Sequence, residues 1–425
     1  MTTLFVLIII LMALMGAPVF IVISAFAMLG FHLTGTPIAV VIVDLYSNFS
    51  SQPLLYTIPL FTFAGYILAE SKTSERLVNF SRAILGWLPG GLSIVSLCTC
   101  AFFTAFTGAS GVTIIALGGL LYPALLKEKY PENFSLGLLT TSGSLGLLFP
   151  PSLPIILFGV VSQTSINQLF AAGLIPGMLL IFLLSIYSIF IGRKTSLTKK
   201  RFQFSEVYRY TLEAKWELFI PVLIVVGIYG GFFTLGEIAS ITVAYSLFIE
   251  VFIHKDIKIF QIPSIMKRSM ILVGGILMIL GSAYGLTSYM IDAEIPMIIL
   301  DFMQRHISSK VVFLLTLNIF LLLVGCVLDI FSAILVTVPL ILPIAVSYDI
   351  NPVHLGIIFL TNLEIGYSTP PVGMNLFISS FRFKKSVLSL YKASIPFLII
   401  LFIALMFITY MPQLSLWLVE YFNIK

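Results

Sequence analysis

Long apolar blocks alternate with short polar breaks along the whole chain. Blocks near residues 3–15, 17–33, 53–70, 135–161, 169–192, 218–235, 237–253, 269–291, 355–380 and 393–412 each read as a bilayer-crossing helix. Such a crossing takes about 20 apolar residues. The first block is short for about 30 Å of hydrocarbon, so it extends, tilts less or sits in a thinned bilayer. Its start, MTTLFVLIII, has no basic residue and fits a first span better than a cleaved leader. Segments 77–90 and 297–309 mix charged and apolar positions and are expected to lie along the interface.

Two blocks are interrupted where interruption costs most. GSLGLLFPPSLPI (143–155) and NLEIGYSTPPVGM (362–374) carry the proline pairs Pro150-Pro151 and Pro370-Pro371. An interior proline removes a backbone hydrogen bond and clashes with the preceding turn, at about 3 kcal/mol or more. In hydrocarbon the freed carbonyls need partners, so broken backbone persists only where it lines a cavity or is buried in protein. Taken alone, either pair reads as a simple kink. Matched breaks in two halves of a membrane chain point instead to an ion and substrate site near the midplane.

The halves do correspond. Adding 220 places Gly16 on Gly236, Gly65 on Gly285, Pro123 on Pro343, Thr141 on Thr361, Gly146 on Gly366, the proline pairs on each other, and Pro176 on Pro396. Loop charge gives the relation between them. KEKYPEN (127–133) carries Lys127 and Lys129, whereas its counterpart SYDINPV (347–353) has no Lys or Arg; SQTSINQ (162–168) is uncharged, while its counterpart carries Arg382, Lys384 and Lys385. Basic loops stay in the cytoplasm, so equivalent loops are expected on opposite faces. By the same rule Glu70–Arg82 and Lys127–Lys129 are cytoplasmic, and residues 92–125 form a re-entrant hairpin with its tip near Gly108-Ala109-Ser110-Gly111. The twin hairpin, 311–345, has its tip near Gly325–Phe331.

The expected fold is therefore all-α and polytopic. Two inverted repeats, 1–192 and 218–425, each hold five spans and one hairpin, with broken helices at 135–161 and 355–380. A polar connector, 193–217, joins them in the cytoplasm, and both termini come out periplasmic.

Composition narrows the class. The chain is 59% apolar and 10% charged, with mean hydropathy +1.10; soluble domains carry roughly 25% charged residues. That leaves no soluble domain. The net charge of +5 belongs to membrane-flanking loops and argues for orientation rather than nucleic acid. No phosphate-binding P-loop is present, so ATP is not the direct energy source. Cys98, Cys100 and Cys326 lie in apolar runs without further ligands and read as packing.

Three stretches carry a family resemblance: NLEIGYSTPPVGMNLF (362–377), GSLGLLFPPSLPIILFG (143–159) and GCVLDIFSAILVTVPLILP (325–343). Over nearly its whole length the chain resembles the large membrane subunit of tripartite ATP-independent periplasmic (TRAP) transporters, the DctM-like family. The first hairpin tip, TGASGVTIIALGG (107–119), departs from that family's Ser-Gly-Ser run, with Ser110 and Gly111 remaining as small tip residues. The resemblance implies sodium-driven import of organic acids by an elevator motion. It also implies a small four-helix membrane subunit, expected as a separate chain, and a periplasmic substrate-binding protein, with no organic cofactor.

Sodium sites follow from oxygen chemistry. A dehydrated sodium ion takes carbonyl, hydroxyl and carboxylate oxygens, and an unwound segment facing a hairpin tip supplies freed carbonyls. The first expected site pairs Gly108, Ala109 and Ser110 with Ser144, Gly146 and Phe149; the second pairs Gly325, Leu328 and Asp329 with Gly366, Thr369 and Met374. A substrate carboxylate is expected between them, near Ser110, Gly111, Ser144, Asp329, Thr369 and Pro370, where half-helix N-termini favour anions. Asp329 reads as functional because an intramembrane carboxylate is costly, with exposure at a hairpin mouth as its plainer reading. Glu364 is expected to pair with a Lys or Arg, or to orient the broken helix. Asp44, Asp292 and Glu294 fall near span ends and read as solvated. One reading from another class remains: Gly108-Ala109-Ser110-Gly111 fits the GxSG pattern of rhomboid proteases, with His354 as the base.

Overall fold

The computed structural model describes residues 2–52, 54–194, 202–307 and 309–424. Every regular element among them is helical. The chain opens with α1 (Thr2–Leu14) and α2 (Val19–Thr34), the latter ended by Gly35 in a left-handed conformation. Next comes α3 (Val40–Ser51), which the apolar pattern missed. Asp44, Asn48 and three serines make it look like a loop. Asn48 Nδ2 and Ser50 Oγ donate to carbonyls four residues back, at 2.8 and 2.7 Å, so these polar groups are satisfied within the helix. Then follow α4 (Thr57–Glu70) and α5 (Thr73–Leu85).

The first hairpin is α6 (Gly91–Thr107) and α7 (Ser110–Lys127), linked only by Gly108 and Ala109. A left-handed φ of 64° at Gly108 makes this short turn, a conformation glycine adopts without penalty. Next, α8 (Glu132–Ser142) runs into a short 3-10 turn at Leu145–Leu148, the proline pair, and α9 (Leu153–Ser162). The two halves meet at 45°. Then α10 (Ile166–Lys194) follows. Part of the expected connector, residues 195–201, lies outside the described residues; the rest contains a helix, α11 (Phe204–Glu213).

In the second half, α12 (Lys215–Tyr229) precedes α13 (Leu235–Phe248), which a Thr234–Glu237 capping box starts and a π turn at Ile249–Ile253 extends. A single long helix, α14 (Ile262–Asp292), leads to α15 (Ile295–His306). The second hairpin is α16 (Lys310–Val327) and α17 (Ile330–Ser347), linked by Leu328 and Asp329. The second broken helix is α18 (Pro352–Gly366) and α19 (Met374–Phe383). The chain closes with α20 (Val387–Tyr410) and a short helix missed in the sequence, α21 (Gln413–Tyr421).

Element bounds recur at the 220 offset. Shifted by 220, α7 (110–127) becomes 330–347, the span of α17, and the α8 start at 132 becomes 352, the start of α18. Likewise α5 (73–85) becomes 293–305, beside α15 at 295–306. The shift carries α3 and α4 together onto 260–290, where the second half has the one unbroken α14. Both proline-pair peptide bonds are cis.

Among the described residues, seven helices are long and apolar enough to cross a membrane, eight if the bent α8–α9 pair counts as one span, with shorter apolar helices beside them. This is an all-α polytopic membrane protein. Its core is largely one apolar cluster gathering α4, α6–α10 and α16–α20. Charged loops gather at one end. There Lys385 Nζ meets Glu132 Oε1 at 2.6 Å, Arg268 pairs with Glu70 at 2.8 Å, and Arg82 pairs with Glu128. Thus the loops around 70–82, 128–132 and 382–385 are tied into a common face.

Candidate functional site

Each broken helix is met by a hairpin at its break. Gly146, in the 3-10 turn, packs on α6 so closely that an added Cβ would lie 2.1 Å from the Ala101 carbonyl and 2.5 Å from the Ala105 amide. The Thr104 hydroxyl donates to the Gly143 carbonyl at 2.8 Å and lies 2.6 Å from the Thr113 hydroxyl. Gly108 sits over Leu153 at the start of α9. The hairpin thus packs on this break through Gly146 and Gly108, while Ser144 reaches the Glu364 carbonyl at 3.4 Å and the Phe149 ring lies against Gly177 of α10.

The second constellation is built from the same parts. A Cβ on Gly366 would stand 2.7 Å from Gly325 backbone atoms, so two glycines let α18 and α16 touch backbone to backbone. Past the break, the Gly373 amide donates to the Cys326 carbonyl at 3.0 Å, and the Ile330 amide donates to the Tyr367 hydroxyl. Thr369 donates its hydroxyl proton to the Ile365 carbonyl at 2.8 Å. The Leu328 and Asp329 link faces this break, and Met374 begins α19 beyond Pro370-Pro371.

Asp329 has a structural task. Its Oδ2 accepts from the Phe331 and Ser332 amides, both at 3.1 Å, and its Oδ1 accepts from the Ser332 hydroxyl, so it caps α17. A carboxylate at a helix N-terminus is favoured by the unpaired amides and the dipole there.

One residue ties the two constellations together, and sequence reasoning missed it. Asn375, fully buried on α19, accepts the Ser110 hydroxyl proton at 2.7 Å. Its backbone amide donates to the Tyr367 carbonyl at 2.9 Å. The tip of the first hairpin is thus pinned to the second broken helix. Gly111 extends this contact, since its added Cβ would lie 2.6 Å from Ile378 of α19. A signal was available, because a side-chain amide inside a membrane chain is costly unless paired.

Other expectations are corrected. Among the described residues Glu364 pairs with no Lys or Arg: it is fully buried and neither carboxylate oxygen has a partner there. Asp44 is not simply solvated, since its Oδ2 is buried and unpaired; Asp292 and Glu294 are exposed, as expected. The protease pair does not form. Ser110 is bonded to Asn375, whereas His354 Nδ1 meets Ser415 Oγ and its Nε2 meets the Thr409 carbonyl, each at 3.2 Å. Cys326 is buried and donates its thiol proton to the Leu322 carbonyl at 2.9 Å.

Comparison with known proteins follows the same lines. The family description "Tripartite ATP-independent periplasmic transporter, DctM component" matches residues 4–414. The chain is 32% identical over 430 residues to the C4-dicarboxylate TRAP transporter large permease protein DctM of Vibrio cholerae, covering 96% of this chain and 95% of that protein. It is 31% identical over 404 residues to the isethionate TRAP transporter permease protein DctMQ of Oleidesulfovibrio alaskensis, covering 94% of this chain and 64% of that protein. Among solved structures, the Alcanivorax borkumensis YdaH transporter matches with a TM-score of 0.62 at 12% identity, over 89% of this chain and 88% of that one. This last likeness is one of fold alone.

Proposed function

The chain belongs to the DctM family of tripartite ATP-independent periplasmic transporter components, and on that premise we propose that it imports an organic acid anion on a sodium gradient. The substrate class is a dicarboxylate, keto acid, sugar acid or sialic acid, delivered by a periplasmic binding protein. A small four-helix membrane subunit works beside it in the bacterial inner membrane.

The observation that carries this reading is the pair of helix breaks at the 220 offset, each packed against a hairpin, the first largely buried and the second open at Pro371, Val372 and Met374. Sodium ions, two or more, are held by Gly108, Ala109, Ser110, Ser144, Gly146 and Phe149 on one side. Gly325, Leu328, Asp329, Gly366, Thr369 and Met374 hold them on the other. The substrate carboxylate sits between, at Ser110, Gly111, Ser144, Asp329, Thr369 and Pro370, facing the N-termini of α9 and α19. The hairpins and broken helices move as one body past the remaining helices. The face carrying Arg76, Arg82, Lys127, Lys385 and Arg268 is cytoplasmic, which puts both termini in the periplasm.

Stoichiometry has an energetic basis. Each charge crossing the membrane is worth about 2.3 kcal/mol per 100 mV. A mono-anion moving with one sodium ion leaves the potential unused, whereas two or more ions recruit it. The test is uptake of labelled acids into proteoliposomes holding this chain with its small subunit, the binding protein being added outside. Uptake that requires an inward sodium gradient and rises with an inside-negative potential supports the reading. Uptake indifferent to sodium overturns it.

A further inference from the structure

We propose that α11 is a membrane-surface anchor: its stripe of Phe204, Tyr208 and Leu212 enters the leaflet at headgroup depth, and the basic residues at its two ends hold anionic phospholipids. This inference needs no transported ion or substrate, so it stands or falls apart from the transport reading above.

The helix itself comes first. Its 10 residues reach about 15 Å, half of the roughly 30 Å of hydrocarbon, so α11 is not a span. Yet its largest side chains point away from the protein: Phe204 is 72%, Tyr208 61% and Leu212 47% exposed. At about 100° per residue these three share an arc of about 80°. Val207, Tyr210, Thr211 and Ala214 make the less exposed side next to it, and α11 packs chiefly on α5. Ser205, Glu206, Arg209 and Glu213 take the remaining arc, where Arg209 Nε meets Glu213 Oε1 at 3.0 Å. Protein, apolar stripe and polar arc follow one another around the helix. That order suits a helix wedged into an interface beside a protein.

Contacts fix its level in the membrane. α10 is long and apolar enough to cross a bilayer, and it ends at Arg193 and Lys194. An added Cβ on Gly192 would lie 2.4 Å from the Gly90 amide nitrogen, so the loop from Trp87 to Gly90 sits against that last turn. The Trp87 ring then meets Phe202 edge-on, with centroids 6.3 Å apart, two residues before α11 begins. Both rings are about half exposed. Trp and Tyr gather at headgroup depth, where Trp87 and Tyr208 are both placed by this packing.

Charge names the lipid. Between residues 193 and 215 seven Lys and Arg stand against two Glu, a net +5 equal to that of the whole chain. Lys194 Nζ lies 4.2 Å from the Phe190 ring centre, and Lys215 Nζ lies 4.9 Å from that of Trp216. Among the described residues, neither these two nor Arg193 meets a carboxylate. An apolar stripe bracketed by free cations binds a leaflet through buried area and through attraction to anionic headgroups together.

Spin-label accessibility in nanodiscs tests the anchor on the full chain, with Cys98→Ala, Cys100→Ala and Cys326→Ala removing the native thiols. The discs mix phosphatidylglycerol with phosphatidylcholine. A label on Tyr208→Cys is expected to be open to oxygen and shielded severalfold from a water-soluble nickel complex, relative to a label on Glu206→Cys. Equal nickel access at the two positions overturns the anchor. So does a label at 208 that is shielded only once the small membrane subunit is added, which would give the stripe to that protein. Nickel access at 208 is expected to rise in discs of phosphatidylcholine alone. It is also expected to rise in mixed discs when Arg193→Gln, Lys194→Gln and Lys215→Gln are combined. Unchanged access in either case overturns the anionic preference. Should the cysteine-free chain fail to fold, the wild-type chain serves. Its unfolding midpoint is expected to be higher in phosphatidylglycerol than in phosphatidylcholine, and the gain to shrink in the triple glutamine variant. An equal gain in both chains overturns the proposal.

Discussion

Asp329 caps α17, and substitution separates that structural task from the ion-binding role proposed for it. Asparagine caps helices about as well as aspartate, so Asp329→Asn keeps α17 capped while removing the charge. Sodium-driven uptake is expected to fall at least tenfold with folded yield little changed; equal loss of both would make the cap its whole role. Ser110→Ala is milder for transport but not for packing. It leaves Asn375 Oδ1 buried without its donor, at about 1–3 kcal/mol. A thermal midpoint unchanged from wild type would count against that bond, and unchanged uptake would remove the hydroxyl from the ion site. Asp329 could be picked out by its apolar flanks. Asn375 could be flagged as a costly amide in an apolar run, but its partner could not be named, because Ser110 is 265 residues away and nothing local marks the pairing.

Glycines set the fit between elements. Gly146→Ala would drive a Cβ against the Ala101 carbonyl and the Ala105 amide, which are backbone and cannot swing aside. Overpacking of this kind costs about 1–3 kcal/mol, and more where backbone must shift. Gly274, inside α14, has nothing within 4 Å of an added Cβ. Gly274→Ala should therefore gain roughly 0.5–1 kcal/mol from helix propensity. Detergent-based thermal unfolding of both variants checks the contrast, and a matching loss in the two would contradict the packing described. At this scale the sequence was legible wherever punctuation was strong. The tips at Gly108-Ala109 and Leu328-Asp329 and both proline breaks fall where the residues put them. α3 was not legible, because its polar side chains read as a loop until their i−4 carbonyl partners are seen. Nor was α21, too short to register as an apolar block.

For the molecule as a whole, the second half holds the first by a buried ionic knot. Arg76 of α5 meets Glu217, Glu250 at 3.0 Å and Asp256 at 2.7 Å, with Glu217 and Glu250 buried. Removing one partner from a buried pair costs about 3–5 kcal/mol, so Arg76→Ala is expected to lower the unfolding midpoint sharply. A shift like that of a surface lysine variant would argue against the knot. Burial pushes the Asp256 carboxyl up, but the Arg76 guanidinium and the Lys72 amide outweigh it and hold it below its usual range. The unfolded chain then binds a proton at higher pH than the folded one, so this contribution is complete above the ordinary carboxylate value of about 3.9. It is lost as pH falls through the lower folded value. In Asp256→Asn that acid limb of the stability profile should flatten. Two regions of loop charge, read as one face from sequence, do meet through Lys385 and Glu132. The knot itself was hidden, because Arg76 and its partners lie 141 to 180 residues apart.

Sodium binding by the two constellations is the central claim, and thermal unfolding of the purified chain in NaCl against KCl at equal ionic strength tests it most directly. A ligand bound only by the folded state stabilises it by about 2.7 kcal/mol at a hundred times its dissociation constant. The account predicts a sodium-specific rise in the unfolding midpoint that is smaller in Asp329→Asn. Equal midpoints in the two salts, with the chain folded in both, would contradict it.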